Sequence, residues 1–430
     1  MNIPKDNMVL YLFKKDLRVA DNHALYAACK NPLVFLVYII DEEECPEAAW
    51  NWWRYHSIHK LQQSLGNRIA IFQGKTINVI ENLLKNYPIN QIYVNKLYNK
   101  HDLPEQILGV KVLSFIGNVL IEPEKLYQVF TPFYKFFATK IIPDSLPPAT
   151  GNFFHDSSLN YEMPMLANNK SFDYIVGEAQ ALLVMQEFLQ VHYHNYKEKR
   201  DFLGINACSL LSPYLAHGEI SPRTIYHATD KDSAFIRQLV WREFAYHFFY
   251  FVPEIEYNNF QKQFDTFPWQ DNETLLHAWK FGNTGVPIVD AAQKQLLLTG
   301  YVHNRTRMIA ASFLTKNLRI HWSAGERWYR ENLVDVDLAS NLVNWQWVAG
   351  TGTDAAPYFR IFNPRIQMEK FDPECLYIKT YLPDFSNLSA QEIFDGVRPD
   401  NYPAPIVDLK ASREESLSLY SLNKKAYSVK

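Results

Sequence analysis

Five short apolar runs, set apart by polar or amphipathic stretches and all lying before residue 114, constrain this chain more than any other feature. They are Met8-Val9-Leu10-Tyr11-Leu12-Phe13, Leu33 to Ile40, Ile69-Ala70-Ile71-Phe72, Gln91-Ile92-Tyr93-Val94 and Lys111-Val112-Leu113. Short apolar runs without polar alternation read as strands buried on both faces, the pattern of a parallel sheet. Between them, Trp52 to Leu65 and Thr76 to Asn86 read as helices. Strands alternating with helices predict a doubly wound α/β sheet. No GxGxxG or GxxxxGK[ST] follows the first run, so neither a conventional dinucleotide fingerprint nor a P-loop is predicted.

From about Thr139 to Asp173 the chain is rich in Pro, Asn, Ser and Asp, including Pro143, Pro147, Pro148 and Pro164. This reads as a long connector over the surface. Helical periodicity then takes over, with Phe235 to Phe251, Val302 to Leu318 and Ala324 to Leu333 as amphipathic helices. The expected organisation is an α/β N-terminal doubly wound parallel-sheet domain over residues 1–133, a connector over 134–173, and an all-α C-terminal domain over 174–430.

Bulk properties narrow the function. At 430 residues the chain suits two or three domains. A net charge of -3 excludes nucleic-acid binding through overall basicity, so any DNA contact needs a local basic patch. The four cysteines (Cys29, Cys45, Cys208, Cys375) show neither CxxC nor Cys/His metal spacing, and read as reduced thiols with no metal. Met1 to Val9 lacks the apolar core of a signal peptide, and no run approaches the roughly 18 apolar residues of a membrane span. A soluble cytoplasmic protein is expected.

Aromatics reach 15%, and seven of the ten tryptophans lie in the C-terminal half: Trp241, Trp269, Trp279, Trp322, Trp328, Trp345 and Trp347. A large aromatic core accounts for such a composition by itself. Asp335, Asp337, Asn341, Trp345 and Trp347 fall within 13 residues. On pattern alone this is either a lined pocket or a turn with capped helices and core tryptophans.

The ordered blocks around that segment resemble the photolyase/cryptochrome family, and most of all its microbial class I cyclobutane pyrimidine dimer branch. They are Leu12-Phe13-Lys14-Lys15-Asp16-Leu17-Arg18 with Asp21-Asn22, Trp241-Arg242-Glu243-Phe244, Thr284 to Ala291, His303-Asn304-Arg305-Thr306-Arg307-Met308, Asp335 to Pro364, Phe371-Asp372-Pro373 and Tyr402 to Asp408. The resemblance spans essentially the whole chain. It implies FAD in the helical domain, UV-damaged DNA as partner, and light-driven electron transfer from reduced FAD to a pyrimidine dimer. No obligate protein partner is implied, and a monomer is expected.

Residue by residue, the resemblance assigns Tyr196 and the Cys208-Ser209-Leu210-Leu211-Ser212 loop to the flavin phosphates. Hydroxyls and backbone N–H groups near a helix start suit a pyrophosphate. The family usually has Thr where Cys208 stands. Arg307 and Asp335 match a charge pair beside the flavin ring, Asp337 a neighbour of its pyrimidine edge, and Asn341 the side chain facing flavin N5. Trp345, Trp322 and Trp269 match an electron-hopping chain to the surface, with Trp279 and Trp328 read as structural. Trp241 and Trp347 match the indoles that pack against an extruded dimer, whose lost stacking aromatic walls replace. Asn304 and Met308, on one helix face, match substrate-side positions, and Arg305, Arg242, Arg360 and Arg365 supply a basic rim. Gln238 stands where the dimer-repairing branch usually has Glu. An amide donates and accepts hydrogen bonds but transfers no proton. Many (6-4) photolyases carry Gln there, yet their paired-His signature is replaced here by His303-Asn304-Arg305. An antenna chromophore (folate, deazaflavin or flavin) is an open expectation for the N-terminal domain, with Asp102 near a folate-contacting position. The alternatives are a (6-4) photolyase, a cryptochrome-type photoreceptor and, more remotely, a flavoprotein redox enzyme unrelated to DNA.

Overall fold

A computed structural model describes residues 8–41, 47–164 and 171–428 of the chain. Cys45, most of the Met1 to Val9 stretch and residues 165–170 of the connector lie outside them. The described residues form two compact units, each assembled from separated stretches of sequence. The first comprises Met1–Tyr127, Thr131–Val191 and Ser209–Pro253; the second comprises Gln128–Phe130, His192–Cys208 and Glu254–Lys430.

The first unit holds a six-stranded sheet of β1 (Met8–Phe13), β2 (Leu33–Ile40), β3 (Ile69–Gln73), β4 (Ile89–Asn95), β5 (Gln106–Ile107) and β6 (Val110–Phe115), in the order β3-β2-β1-β4-β6-β5. All pairings are parallel except that of the two-residue edge strand β5 with β6. The five apolar runs are therefore the five parallel strands. Every residue of β1 is buried, because side chains alternate between two covered faces. Val9, Tyr11 and Phe13 enter one core with Ile58 and Leu61; Met8, Leu10 and Leu12 enter the other with Ile80 and Leu83.

Beyond the C-terminal end of β1 the Lys14 to Asn22 block folds into a buried polar lattice. Tyr11 donates to Asp16 and accepts from Asn22 Nδ2 at 2.8 Å, while Asn95 donates to Asp16 Oδ2 at 2.6 Å. Asp21 pairs with Arg223 at 3.1 Å, both side chains 1% exposed. Asp102 uses both carboxylate oxygens locally, accepting from Leu97 N at 2.5 Å and Tyr98 N at 2.9 Å. Between 139 and 164 the connector has no helix, and its one strand-like contact is an isolated bridge from Phe153 to Val34. Helix α1 (Ala234–Phe251) completes this unit, capped by Ser233.

The second unit is helical around α2 (Pro287–Thr299), α3 (Asn304–Ser312), α4 (Trp322–Asn332), α5 (Leu338–Ala349) and α6 (Leu409–Ser428). The expected helix from Val302 to Leu318 differs in two ways. His303 caps α3 by accepting from Arg305 N at 3.1 Å, which leaves Val302 outside. The chain then widens into a π-helical turn over Phe313–Asn317, where Thr315 Oγ1 bonds back to Ala311 O at 2.8 Å. The helix read as Ala324 to Leu333 starts two residues earlier, because His321 caps it at Ser323 N. The Thr284 to Ala291 and Tyr402 to Asp408 blocks lock together: buried Asp290 accepts from Thr284 N at 2.8 Å and from the Tyr402 hydroxyl.

Candidate functional site

In the second unit, the turn between α4 and α5 gathers the charged groups. Arg307, from α3, meets both oxygens of Asp335 at 3.0 and 2.8 Å and donates through Nε to Val302 O at 2.7 Å. Asp335 is buried and Arg307 partly exposed. One guanidinium nitrogen, Nη2, spans both carboxylate oxygens while Nε is held by the Val302 carbonyl, and the two anchors together orient the guanidinium. Asp337 caps α5 by accepting from Ser340 N at 2.8 Å. The cap at this end of the segment is thus Asp337, and Asn341 is free for other work one turn on.

Asn341 donates its amide to Glu326 Oε1 at 2.8 Å and Glu326 O at 3.3 Å. Sequence reasoning missed Glu326, since one carboxylate in an ordinary helix gives no local signal. It is 2% exposed, and burial raises its carboxyl pKa while Arg330, at 2.9 Å through both oxygens, works against the rise. With the Asn341 nitrogen committed to Glu326, its oxygen is the acceptor left over. The amide orientation follows from the hydrogen-bond network.

These groups fit an isoalloxazine ring. Its pyrimidine edge alternates N–H and C=O, and its reduced central ring carries an N–H at N5. A cation, two carboxylates and an amide oxygen with no donor among the described residues are a matching set. The phosphate side is less direct. Tyr196 is buried under the Arg200 guanidinium, 5.4 Å from its ring centre. Cys208 Sγ lies 3.4 Å from His303 Nε2, and burial pushes its thiol up to about 11, so it is an uncharged group there. Ser209, Leu210, Leu211 and Ser212 belong to the first unit. Leu210 has φ of 53°, a left-handed conformation that costs a non-glycine residue about 1 kcal/mol or more. Ser209 Oγ accepts from Leu211 N at 3.4 Å.

Of the tryptophans, Trp345 and Trp322 are buried and Trp269 is half-exposed. Trp345 lies against Gly325 of α4 and touches Tyr329 at 5.1 Å and Trp279 at 6.1 Å between ring centres. Trp322 donates to Asn259 Oδ1 at 2.8 Å, and Trp269 to Phe264 O at 3.1 Å. Trp347 is half-buried on the same helix as Trp345. In the first unit Trp241 is half-buried, edge-on to Phe244 at 5.7 Å, and Gln238 lies one turn before it.

Asn304 and Met308 share a face of α3, with Asn304 Nδ2 3.8 Å from Met308 Sδ. Most arginines of the expected rim are already engaged. Arg305 pairs with Asp201 at 2.6 Å and lies 4.2 Å from the Phe371 ring centre. Arg242 binds Asn118 O at 2.5 Å and Glu243 at 3.4 Å. Arg365 pairs with Glu369 and Asp395. Arg360 is exposed and enters no ion pair among the described residues. The described cysteines Cys29, Cys208 and Cys375 are free thiols, and no cluster of three or more metal-ligating side chains occurs among the described residues.

A doubly wound sheet followed by a helical unit with a flavin-shaped donor set defines a two-part flavoprotein class. The family model described as DNA photolyase matches residues 9–149, and that described as the FAD binding domain of DNA photolyase matches residues 235–422. The chain belongs to the DNA photolyase family. It is 37% identical to a deoxyribodipyrimidine photo-lyase of Agrobacterium fabrum, over 97% of this chain and 98% of the relative. A solved bacterial class III photolyase from Agrobacterium tumefaciens superposes with a TM-score of 0.88 at 34% identity, covering 99% of both chains. The archaeal photolyase from Sulfolobus tokodaii, whose structure contains two FAD molecules, superposes with a TM-score of 0.87 at 28% identity, over 96% of this chain and 99% of that one.

Proposed function

We propose that this protein repairs cyclobutane pyrimidine dimers in DNA under light. The observation that carries the reading is the Arg307–Asp335 pair with the acceptor oxygen of Asn341, in a chain related at 37% identity to a deoxyribodipyrimidine photo-lyase. Bound reduced FAD supplies the light absorption and the transferable electron.

The chain's own residues hold and tune that chemistry. Arg307 offsets negative charge on the reduced ring, while Asp335 fixes the guanidinium's place. Asn341 Oδ1 would accept a hydrogen bond from the flavin N5–H, and Glu326 holds the amide in that orientation. Asp337 would lie beside the pyrimidine edge. Tyr196 and the Cys208 to Ser212 loop take the phosphates, Cys208 by packing rather than by charge. Trp241 and Trp347 each offer an indole face to the extruded dimer, and Gln238, Asn304 and Met308 contact it. Trp345, Trp322 and Trp269 return electrons to an oxidised flavin. For DNA phosphates, Arg360 is ready, whereas Arg242, Arg305 and Arg365 must first give up a carboxylate or carbonyl partner.

By secondary structure the domains divide at residues 1–133, 134–173 and 174–430, with an antenna chromophore in the first, although the helical stretches 174–191 and 209–253 belong to the first compact unit. The chromophore is a folate, a deazaflavin or a second flavin; the local use of both Asp102 oxygens argues against the folate contact. The protein acts as a cytoplasmic monomer. Among the described residues no helix is long and apolar enough to cross a membrane. Gln238 supports one second reading, repair of (6-4) photoproducts. The test is repair by reduced protein of oligonucleotides carrying either lesion, under blue light and in the dark. Light-dependent restoration of the cyclobutane dimer alone supports the reading. Restoration of the (6-4) product moves the protein to the other repair class, and restoration of neither by FAD-loaded protein points to a photoreceptor.

A further inference from the structure

His321 touches two of the three tryptophans assigned to photoreduction. Its ring centre is 5.2 Å from that of Trp269, edge-on at 83°, and 5.3 Å from that of Trp322, tilted at 36°. Three features hold it there. The ring is the N-cap of α4: Nδ1 accepts from Ser323 N at 3.3 Å and lies 2.8 Å from Ser323 Oγ. A parallel bridge joins Gln270 to Ile320, so Trp269 and His321 flank paired residues. Gln270 N donates to Arg319 O at 2.7 Å. Trp322 is tied off by Asn259, which in turn donates to Asp265 at 2.8 Å.

A helix N-cap needs only a short side-chain acceptor, and Ser, Thr, Asp or Asn serves better than His. The aromatic ring is therefore more than the cap requires. What it adds is a π-system in contact with both indoles. Burial also depresses the His321 pKa to about 4, so near neutral pH the imidazole is uncharged and sets no positive charge against an oxidised indole.

We infer that His321 is the bridging ring through which an electron passes from Trp269 to oxidised Trp322. The inference rests on the photoreduction role proposed above for Trp345, Trp322 and Trp269. Trp345 gives one electron to the photoexcited oxidised flavin, Trp322 refills Trp345, and Trp269 refills Trp322 across His321. An added thiol then reduces Trp269. His321 is a positioning and coupling residue, neither oxidised nor protonated in the sequence.

The test uses full-length protein with oxidised FAD bound, a thiol reductant and blue light. Transient absorption reads the tryptophan radical, and steady illumination reads flavin reduction. H321N keeps a cap acceptor and removes the ring; H321F removes the cap acceptor and keeps a ring. FAD content and melting temperature report any folding defect separately. We expect H321N to lose the long-lived radical and to reduce flavin no faster than W269F, with H321F close to the unaltered protein. Wild-type photoreduction in H321N, alongside a defective W269F, overturns the inference. So does an H321F as defective as H321N at equal FAD content. A W345F variant that photoreduces normally removes the tryptophan route itself, and with it the reading on which this one stands.

Discussion

Replacing Gly325 by alanine sets two opposed effects against each other inside α4. In a helix interior the change is favourable by about 1 kcal/mol, since alanine restricts the unfolded chain and glycine does not. Here the added Cβ would sit 2.2 Å from Trp345 Cη2, 2.6 Å from Trp345 Cζ3 and 2.6 Å from Leu314 Cδ2. Ordinary contact needs more than an ångström of extra room. The indole cannot swing away cheaply, because Tyr329 and Trp279, both buried, stand against it. Overpacking a filled core costs typically 1–3 kcal/mol, so the net effect is a loss of up to about 2 kcal/mol after the helix gain is subtracted. Urea unfolding followed by circular dichroism, with release of FAD fluorescence as a second probe, measures it. A Gly325→Ala protein that is more stable by about 1 kcal/mol, the propensity value alone, would refute the packing of Trp345 against α4.

Three further outcomes are expected. Asp335→Ala leaves the Arg307 guanidinium without its buried partner and destabilises by about 3 kcal/mol; it also lowers FAD content at purification, which the flavin absorbance checks. Trp241→Ala weakens binding of a dimer-containing oligonucleotide by about 1–3 kcal/mol through lost stacking, and an unchanged Kd would remove Trp241 from the lesion contacts. Lys316 is fully buried, donates to Tyr358 O at 2.9 Å, and burial lowers its pKa to about 7. The unfolded chain binds that proton more tightly, so Lys316 adds stability as pH rises from 7 towards the ordinary lysine value. Lys316→Met should gain on the wild type most at pH 7 and lose that advantage by pH 10; denaturant midpoints at both pH values read the difference.

The sheet was legible because a strand buried on both faces leaves an unbroken apolar run, and β1 and β2 coincide with theirs. The edge strand β5 was not, since two residues paired on one side carry no such pattern. Helices were legible in place, and Thr76 to Asn86 at both ends, but the starts of the helices that begin at Asn304 and Trp322 were not. His303 and His321 act as caps, and histidine is a poor statistical sign of one. In the site, Asp335, Asp337, Asn341 and Trp345 lie close in sequence and could be read together. Glu326 and His321 could not, because their importance comes from partners on other elements. The partners of the arginine rim were illegible for the same reason: Asp201 lies more than a hundred residues from Arg305 and pairs with it only in the folded chain.

The polar lattice around β1 also sets a timetable for synthesis. Asp21 meets Arg223 only after 202 further residues, Val19 meets Glu178 after 159, and Trp53 meets Glu219 after 166. At roughly 5–20 residues per second on a ribosome, the Asp21 carboxylate waits on the order of 10–40 s for its cation. During that interval the β1–β4 strands have emerged with their polar knot half tied. A fragment ending at residue 149, where the first family match stops, therefore carries the whole sheet and lacks Arg223, the cation paired with its buried Asp21.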